Sequence, residues 1–277
     1  MIDTSGADAD PHPRTATRWR EPLRFGRFLI LLVLAMLAVR SFAFTPFNIP
    51  SESMMPQLLV GDYLVVSKWN YGYSRYNLPL GIGPVDGRLF DALPARGDVV
   101  VFKAPPLNDT DYVKRVIGLP GDTVAMRGGA VILNGTPVPR MRIDDLIVAR
   151  NDSQACINRL YQETDGRGGL RCRYPRYRET LPGGRSYDVL DLGVTAQDDT
   201  DPVTVPPGKL FLLGDNRDGS ADSRFPAEPG QGIGLVDHAN LIGRAAMLMF
   251  STDGTARWDN PFSWVTAARA ERVGQPL

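Results

Sequence analysis

Polar residues dominate the first 27 positions, and the chain then turns apolar without a break from Phe28 to Val39 (FLILLVLAMLAV). The leading segment is rich in Asp, Pro, Thr and Arg and has no apolar periodicity, a pattern that predicts a disordered tail. Twelve apolar residues are too few to cross a bilayer alone. Arg24 and Arg27 before the run and Arg40 after it extend its reach, because arginine side chains snorkel to the interface. From Arg24 to Arg40 a helix rises roughly 24 Å at about 1.5 Å per residue. The apolar SFAFTPF that follows supplies the rest of a roughly 30 Å core. The pattern therefore predicts a tail at 1–23 and one transmembrane helix within 24–46. Arg14, Arg18, Arg20, Arg24 and Arg27 precede it, and the 20 residues after Phe47 carry no Arg or Lys. The positive-inside rule then puts the N-terminus in the cytoplasm and everything beyond residue 47 outside. Ser41-Phe42-Ala43 looks like a small-x-small cleavage site, but Arg40 and the long leading tail favour an uncleaved anchor.

Beyond residue 47 the pattern changes to short apolar runs between turn residues. Tyr63–Ser67, Asp98–Phe102, Tyr112–Ile117, Thr123–Met126, Ala130–Leu133, Lys209–Leu213 and Leu241–Phe250 read as strands. Gly128-Gly129 and Asn134-Gly135 bracket Ala130–Leu133, a strong hairpin signal. Glycine and proline number 28 and 23, about 18% together against an average near 12%, which again favours short strands over a helical bundle. The fold class expected is mainly β, an antiparallel core over 47–137 and 203–252. Residues 138–202 are rich in Arg and Asp, weakly periodic, and hold both cysteines, so they read as an inserted subdomain. Outside the cytoplasm a Cys156–Cys172 disulfide would be stable, the alternative being two unpaired thiols. Residues 253–277, with Trp258, Phe262 and Trp264, are expected to pack on the core or lie near a membrane surface.

Charge and composition remove several classes. The 31 basic and 31 acidic side chains cancel, so nothing points to nucleic acid. The two histidines are His12, in the tail, and His238. Sites needing paired histidines are excluded, and a Ser-His-Asp triad would have to use His238. Two cysteines cannot build a four-cysteine zinc site.

Three segments carry candidate chemistry. Ser51-Glu52-Ser53-Met54 lies between Pro50 and Pro56 just after the apolar run, and taken alone it equally suits a polar turn. Lys114 shares a strand face with Tyr112 and Val116, a half-buried setting, although a surface lysine reads the same way. Gly214–Arg224 (GDNRDGSADSR) follows the apolar KLFLL and on its own suits a solvated or calcium-binding loop. Together, and in order, they resemble the type I (leader) signal peptidases, membrane-bound proteases with a Ser-Lys dyad. The resemblance begins at Val39-Arg40-Ser41-Phe42 and Pro46–Pro56. It continues through Gly61-Asp62, Arg96–Lys103 and the Lys114 strand, and ends with Gly214–Arg224 and Asn240–Ala245.

That resemblance implies a signal-peptidase-like β catalytic core with an inserted subdomain, behind one N-terminal transmembrane helix. It implies Ser53 as nucleophile and Lys114 as general base. Ser51, with the backbone N–H of Ser53, would bind the oxyanion. Ser220 and Asp222 would orient the lysine, with Arg224 tied to their loop. Phe47, Ile49, Met54, Leu58, Val101, Tyr112 and Val113 would line shallow pockets for small side chains. Glu52 stands where most members have glycine. The implied function is removal of signal peptides from exported preproteins after a small-x-small motif. The implied place is the outer face of a bacterial inner membrane, with lipid and the secretion machinery as neighbours and no metal, organic cofactor or nucleic acid.

The chemistry is coherent. Serine attacks only when a neighbouring base takes its proton, and lysine serves as that base only when neutral, which burial favours. Asp222 is therefore expected to pair with Arg224 and not with Lys114. A maturation protease of the same family with one substrate, and a catalytically silent anchored β-domain that binds exported proteins, are the competing readings. The Ser-x-x-Lys motif of penicillin-binding enzymes is absent, because Pro56 stands three residues after Ser53.

Overall fold

The computed structural model describes residues 20–78, 81, 83–84, 87–150, 155–166, 168–257 and 259–277. His12, most of the expected tail and Trp258 lie outside the described residues. The chain falls into two units, Met1–Arg40 and Ser41–Leu277.

The first unit carries helix α1, Arg20–Ala38. Leu23–Ala43 is long and apolar enough to cross a membrane, and none of that stretch is buried by protein. The end of the expected anchor differs from the sequence reading. Phe44–Pro46 do not continue the helix; they open strand β1 (Phe44–Asn48), where Phe44 pairs with Ser67 and Pro46 with Val65. Pro46 is tolerated there because β1 is the edge of its sheet, and an edge strand has a side on which no ladder N–H is needed.

The second unit is built from antiparallel strands. After β1 come β2 (Asp62–Ser67), β3 (Val99–Lys103) and β4 (Asp111–Gly118). Next are β5 (Thr123–Arg127), β6 (Ala130–Leu133), β7 (Thr136–Pro137) and β8 (Arg140–Ala149). Then follow β9 (Gln162–Thr164), β10 (Leu170–Thr180), β11 (Ser186–Leu190) and β12 (Val203–Thr204). The last are β13 (Lys209–Leu213), β14 (Val236–Asp237) and β15 (Leu241–Ser251). A seven-stranded sheet runs β1-β2-β15-β3-β4-β13-β14, and a smaller one runs β12-β5-β6-β7. Asp98, expected inside a strand, instead closes a turn: its carboxylate accepts from Ala95 N and Tyr71 Oη, each at 2.9 Å.

Residues 138–202 hold a third sheet, β11-β10-β8 with β9 also on β10. Its periodicity is weak in the sequence because outward positions carry arginines satisfied by acids. Arg171 and Arg173 meet Glu163, and Arg178 meets Asp188. Cys156 and Cys172 are bridged, with Cα atoms 5.5 Å apart. Met55, Cys172, Tyr174 and Leu190 form a buried cluster that seats this sheet on the Ser51–Leu58 turn. After the short helix α2 (Phe262–Ala267), the C-terminal residues return along β15, with Gln275 O accepting from Leu248 N at 3.0 Å.

Candidate active site

The turn that carries Ser53 is set by what it buries. Met54 and Leu58 are fully covered and pack with Ile49, Leu64, Val99 and Val101. Backbone bonds Met55 N to Glu52 O (3.0 Å) and Leu58 N to Met54 O (2.9 Å) wind the segment over them. Met54 and Leu58 were expected to line substrate pockets; instead they are core residues, because this winding turns both side chains inward beneath the turn. The same anchoring leaves Ser53 at the surface of the core, 8% exposed.

Lys114 comes from β4, where Val100 of β3 is its cross-strand partner. It is not half-buried, as the alternation suggested, but 3% exposed, because both faces of β4 are covered at this point. Its ammonium nitrogen donates to Ser53 Oγ at 2.8 Å and lies 5.4 Å from the Tyr112 ring centroid. Burial pushes the lysine down to about 8; Asp222 and Asp215 oppose that shift and Arg224 adds to it.

The loop after β13 supplies those charges without touching the lysine. Asp222 is fully buried and accepts from Arg224 Nε and Nη2, each at 2.9 Å, and from Gly214 N at 3.1 Å. Asp215 is held by Arg115 through two bonds of 2.7 and 2.6 Å. Asp218 accepts from Leu192 N. The three aspartates thus serve separate partners and do not converge as calcium ligands would. Ser220 is buried, but its hydroxyl makes no hydrogen bond, to Lys114 or to any other described residue. It packs against Gly214, where an added Cβ would lie 2.2 Å from Ser220 Oγ and 2.6 Å from Ser53 O. Only glycine allows this close approach.

A cleft of about 320 Å³ opens over Ser53 and Lys114. Phe47, Ile49, Val101, Tyr112 and Val113 line it as expected; Asn48, Pro50, Leu64, Thr110, Asp111, Gly219 and Ala221 line it as well. Ser51, exposed at its mouth, has its Oγ 3.4 Å from Ser53 Oγ. Leu64 was within reach of the sequence, because it alternates with Val66 on the inward face of β2. Gly219 and Ala221 carried no signal beyond their small size. His238 is not in this cleft. It sits in the turn before β15 with Nδ1 3.1 Å from Asp91, and burial pushes its ring down.

Residues 23–250 match the family model described as "Signal peptidase, peptidase S26". The chain belongs to that signal peptidase family. The signal peptidase I of Rickettsia canadensis (strain McKiel) is 33% identical over 296 residues, covering 100% of this chain and 98% of that protein. That of Rickettsia prowazekii (strain Madrid E) is 34% identical over 272 residues, covering 91% and 92%. A signal peptidase I of Enterococcus faecalis V583, known from a crystal structure, is 26% identical. It aligns over 55% of this chain and 97% of its own, with a TM-score of 0.28, too low to inform the geometry here. As a signal peptidase the chain is a serine peptidase.

Two features of this signal peptidase bear on the cleft. The first is its strand edges. β4 pairs with β13 only from Arg115 onward, so Asp111–Lys114 present a backbone edge unoccupied by β13. β1 pairs with β2 on one side and is otherwise the sheet edge. The second is Glu52, whose side chain turns away from the cleft into a small pocket beside Met55, Leu59, Val148, Tyr174 and Arg269. Burial pushes its carboxyl up.

Proposed function

We propose that this protein is a membrane-anchored endopeptidase that removes signal peptides from exported preproteins, with Ser53 as nucleophile and Lys114 as its general base. The observation that carries the reading is the 2.8 Å hydrogen bond between a buried lysine and a serine at the floor of an apolar cleft. With Lys114 near 8, about a tenth of it is neutral at pH 7 and able to accept a proton.

The chemistry follows. Ser53 Oγ attacks the scissile carbonyl as its proton passes to Lys114 Nζ. Ser51 Oγ and the Ser53 N–H take the oxyanion. The Lys114 ammonium returns the proton to the departing amine, and water then cleaves the acyl-enzyme by the same route in reverse. Arg224 neutralises Asp222, which would otherwise favour charged lysine. Asp222, bonded to Gly214 N and Arg224, fixes the loop beside the dyad, and Ser220 contributes by packing against Gly214.

An extended substrate pairs with the free edges at Phe47–Pro50 and Asp111–Val113. The apolar walls Phe47, Ile49, Val101, Tyr112 and Val113 leave space for small side chains, hence a small-x-small motif. Helix α1 is the anchor. The arginines before it support an N-terminus in the cytoplasm by the positive-inside rule, with the catalytic unit then working on the outer side of a bacterial inner membrane, beside lipid and the secretion machinery. No cofactor enters the scheme.

The test is preprotein cleavage by the full-length enzyme in detergent. Ser53→Ala and Lys114→Ala are expected to abolish it. Ser51→Ala is expected to lower kcat by about 10²–10³-fold, the range for loss of one oxyanion donor. Cleavage at the normal rate by Lys114→Ala would sink the reading.

A further inference from the structure

The inserted sheet reaches the catalytic loop through a buried chain of charge. Arg217, 2% exposed in that loop, extends its guanidinium out of the core and into the insertion, where Nη1 donates to Glu179 Oε1 at 2.9 Å. Glu179 is on β10 and has no exposed surface. Its other oxygen accepts from Tyr187 Oη at 2.7 Å; Tyr187 is its cross-strand partner on β11. The Tyr187 ring in turn stacks under the Arg115 guanidinium, 4.3 Å from its centroid. Arg115 follows Lys114 in β4.

Arg217 is held at both ends. While its guanidinium is fixed by the insertion, its backbone carbonyl accepts from Arg224 Nη2. Arg224 is the residue that binds Asp222. Between these points, Asn216 N donates to Ser53 O at 3.1 Å, and Leu190 N of β11 donates to Asp215 O at 2.9 Å. Neither Glu179 nor Tyr187 lines the cleft. Buried ion pairs are often replaceable by apolar groups without loss of stability, so their use here calls for a second reason, and fixing one geometry is the best attested.

We propose that Glu179 and Tyr187, both supplied by the inserted sheet, are positioning residues: they clamp Arg217 and thereby hold the 214–224 loop in register with Ser53 and Lys114. The insertion is then a working part of the active site and not an appendage. This rests on the Ser53–Lys114 reading. The charged or titratable groups facing Lys114 are Asp215, Asp222 and Arg224 from the loop and Tyr112 from its own strand. Releasing Arg217 loosens Arg224 from Asp222, and the freed carboxylate then favours the lysine ammonium.

The experiment compares wild type, Glu179→Gln and Tyr187→Phe as full-length enzymes in detergent, with kcat and KM measured across pH and folded fraction followed by circular dichroism. For Glu179→Gln we expect kcat at pH 8 to fall about tenfold or more with KM within about twofold. We also expect the acidic limb of kcat to move up by about half a pH unit or more. Tyr187→Phe keeps the ion pair and is expected to move both in the same direction by less. Glu179→Asp, which keeps the charge, is expected to recover part of the loss. Should Glu179→Gln fail to fold, Tyr187→Phe decides by the same readouts. An unmoved acidic limb, with activity lost only in proportion to folded fraction, overturns the proposal. Lys114→Ala separates the two readings. If it cleaves normally, the dyad falls; if it is silent while both variants keep wild-type kcat and acidic limb, the dyad stands and the clamp falls.

Discussion

Lys114 concentrates the residue-scale physics. In the proposed mechanism its amine works only when neutral, and the fold raises the neutral fraction by removing water while keeping the nearest carboxylates occupied by arginines. Turnover is therefore expected to rise with pH through an acidic limb near 8 and to level off above it, as a kcat profile on a preprotein would show. Burial also taxes stability. The unfolded chain holds the Lys114 proton up to about 10.5 and the folded chain only to about 8, so the unfolded state binds more protons across that window. The stability lost to this group is complete below about 8 and is recovered as pH rises toward 10.5. The difference corresponds to about 3 kcal/mol at about 1.4 kcal/mol per pH unit. Lys114→Met is expected to be inactive yet more stable than wild type at pH 7, the advantage fading by pH 10.5. Denaturant melts at the two pH values would check it, and an advantage that grew with pH would contradict it.

At the scale of elements, the Ser51–Leu58 turn is a surface device held by a buried root. Met54 and Leu58 contribute packing and do not shape the cleft. Leu58→Ala is expected to destabilise by about 2–5 kcal/mol, as buried leucine truncations do. It is also expected to leave the preferred cleavage position unchanged, by mass spectrometry of the released peptides. A shifted cleavage position would return Leu58 to the pocket wall. The three segments that meet at the cleft were legible because each is a dense local cluster: two serines two apart, a lysine in an alternating strand, and a polar loop after an apolar strand. The pocket walls were legible only in part, since strand parity gives the face of a residue but not its depth.

At the scale of the whole molecule, an apolar helix precedes a β-rich unit along the chain. The arginine asymmetry before the helix argues the orientation. Protease added to intact spheroplasts is expected to digest residues beyond 47 and to spare an epitope within 1–23. Protection of the catalytic unit would reverse the orientation. The insertion has its own sheet and disulfide, and it joins the core through two apolar clusters, through the buried Arg217–Glu179 pair and through Arg185 on Asp98.

What the sequence determined by itself was local and ordered: the apolar run and its arginines, the turn residues that cut the rest into short strands, and the succession of three candidate segments. Each is a property of neighbours along the chain. The tertiary structure alone decided the depth of Lys114, the inward turn of Met54 and Leu58, and the start of a strand at Phe44. It also decided the meeting of Arg217 with Glu179 across 38 positions. The reason is physical: burial and charge pairing depend on which strands become neighbours in space. A carboxylate in an Arg- and Asp-rich stretch looks solvated until a guanidinium from another element takes it out of water.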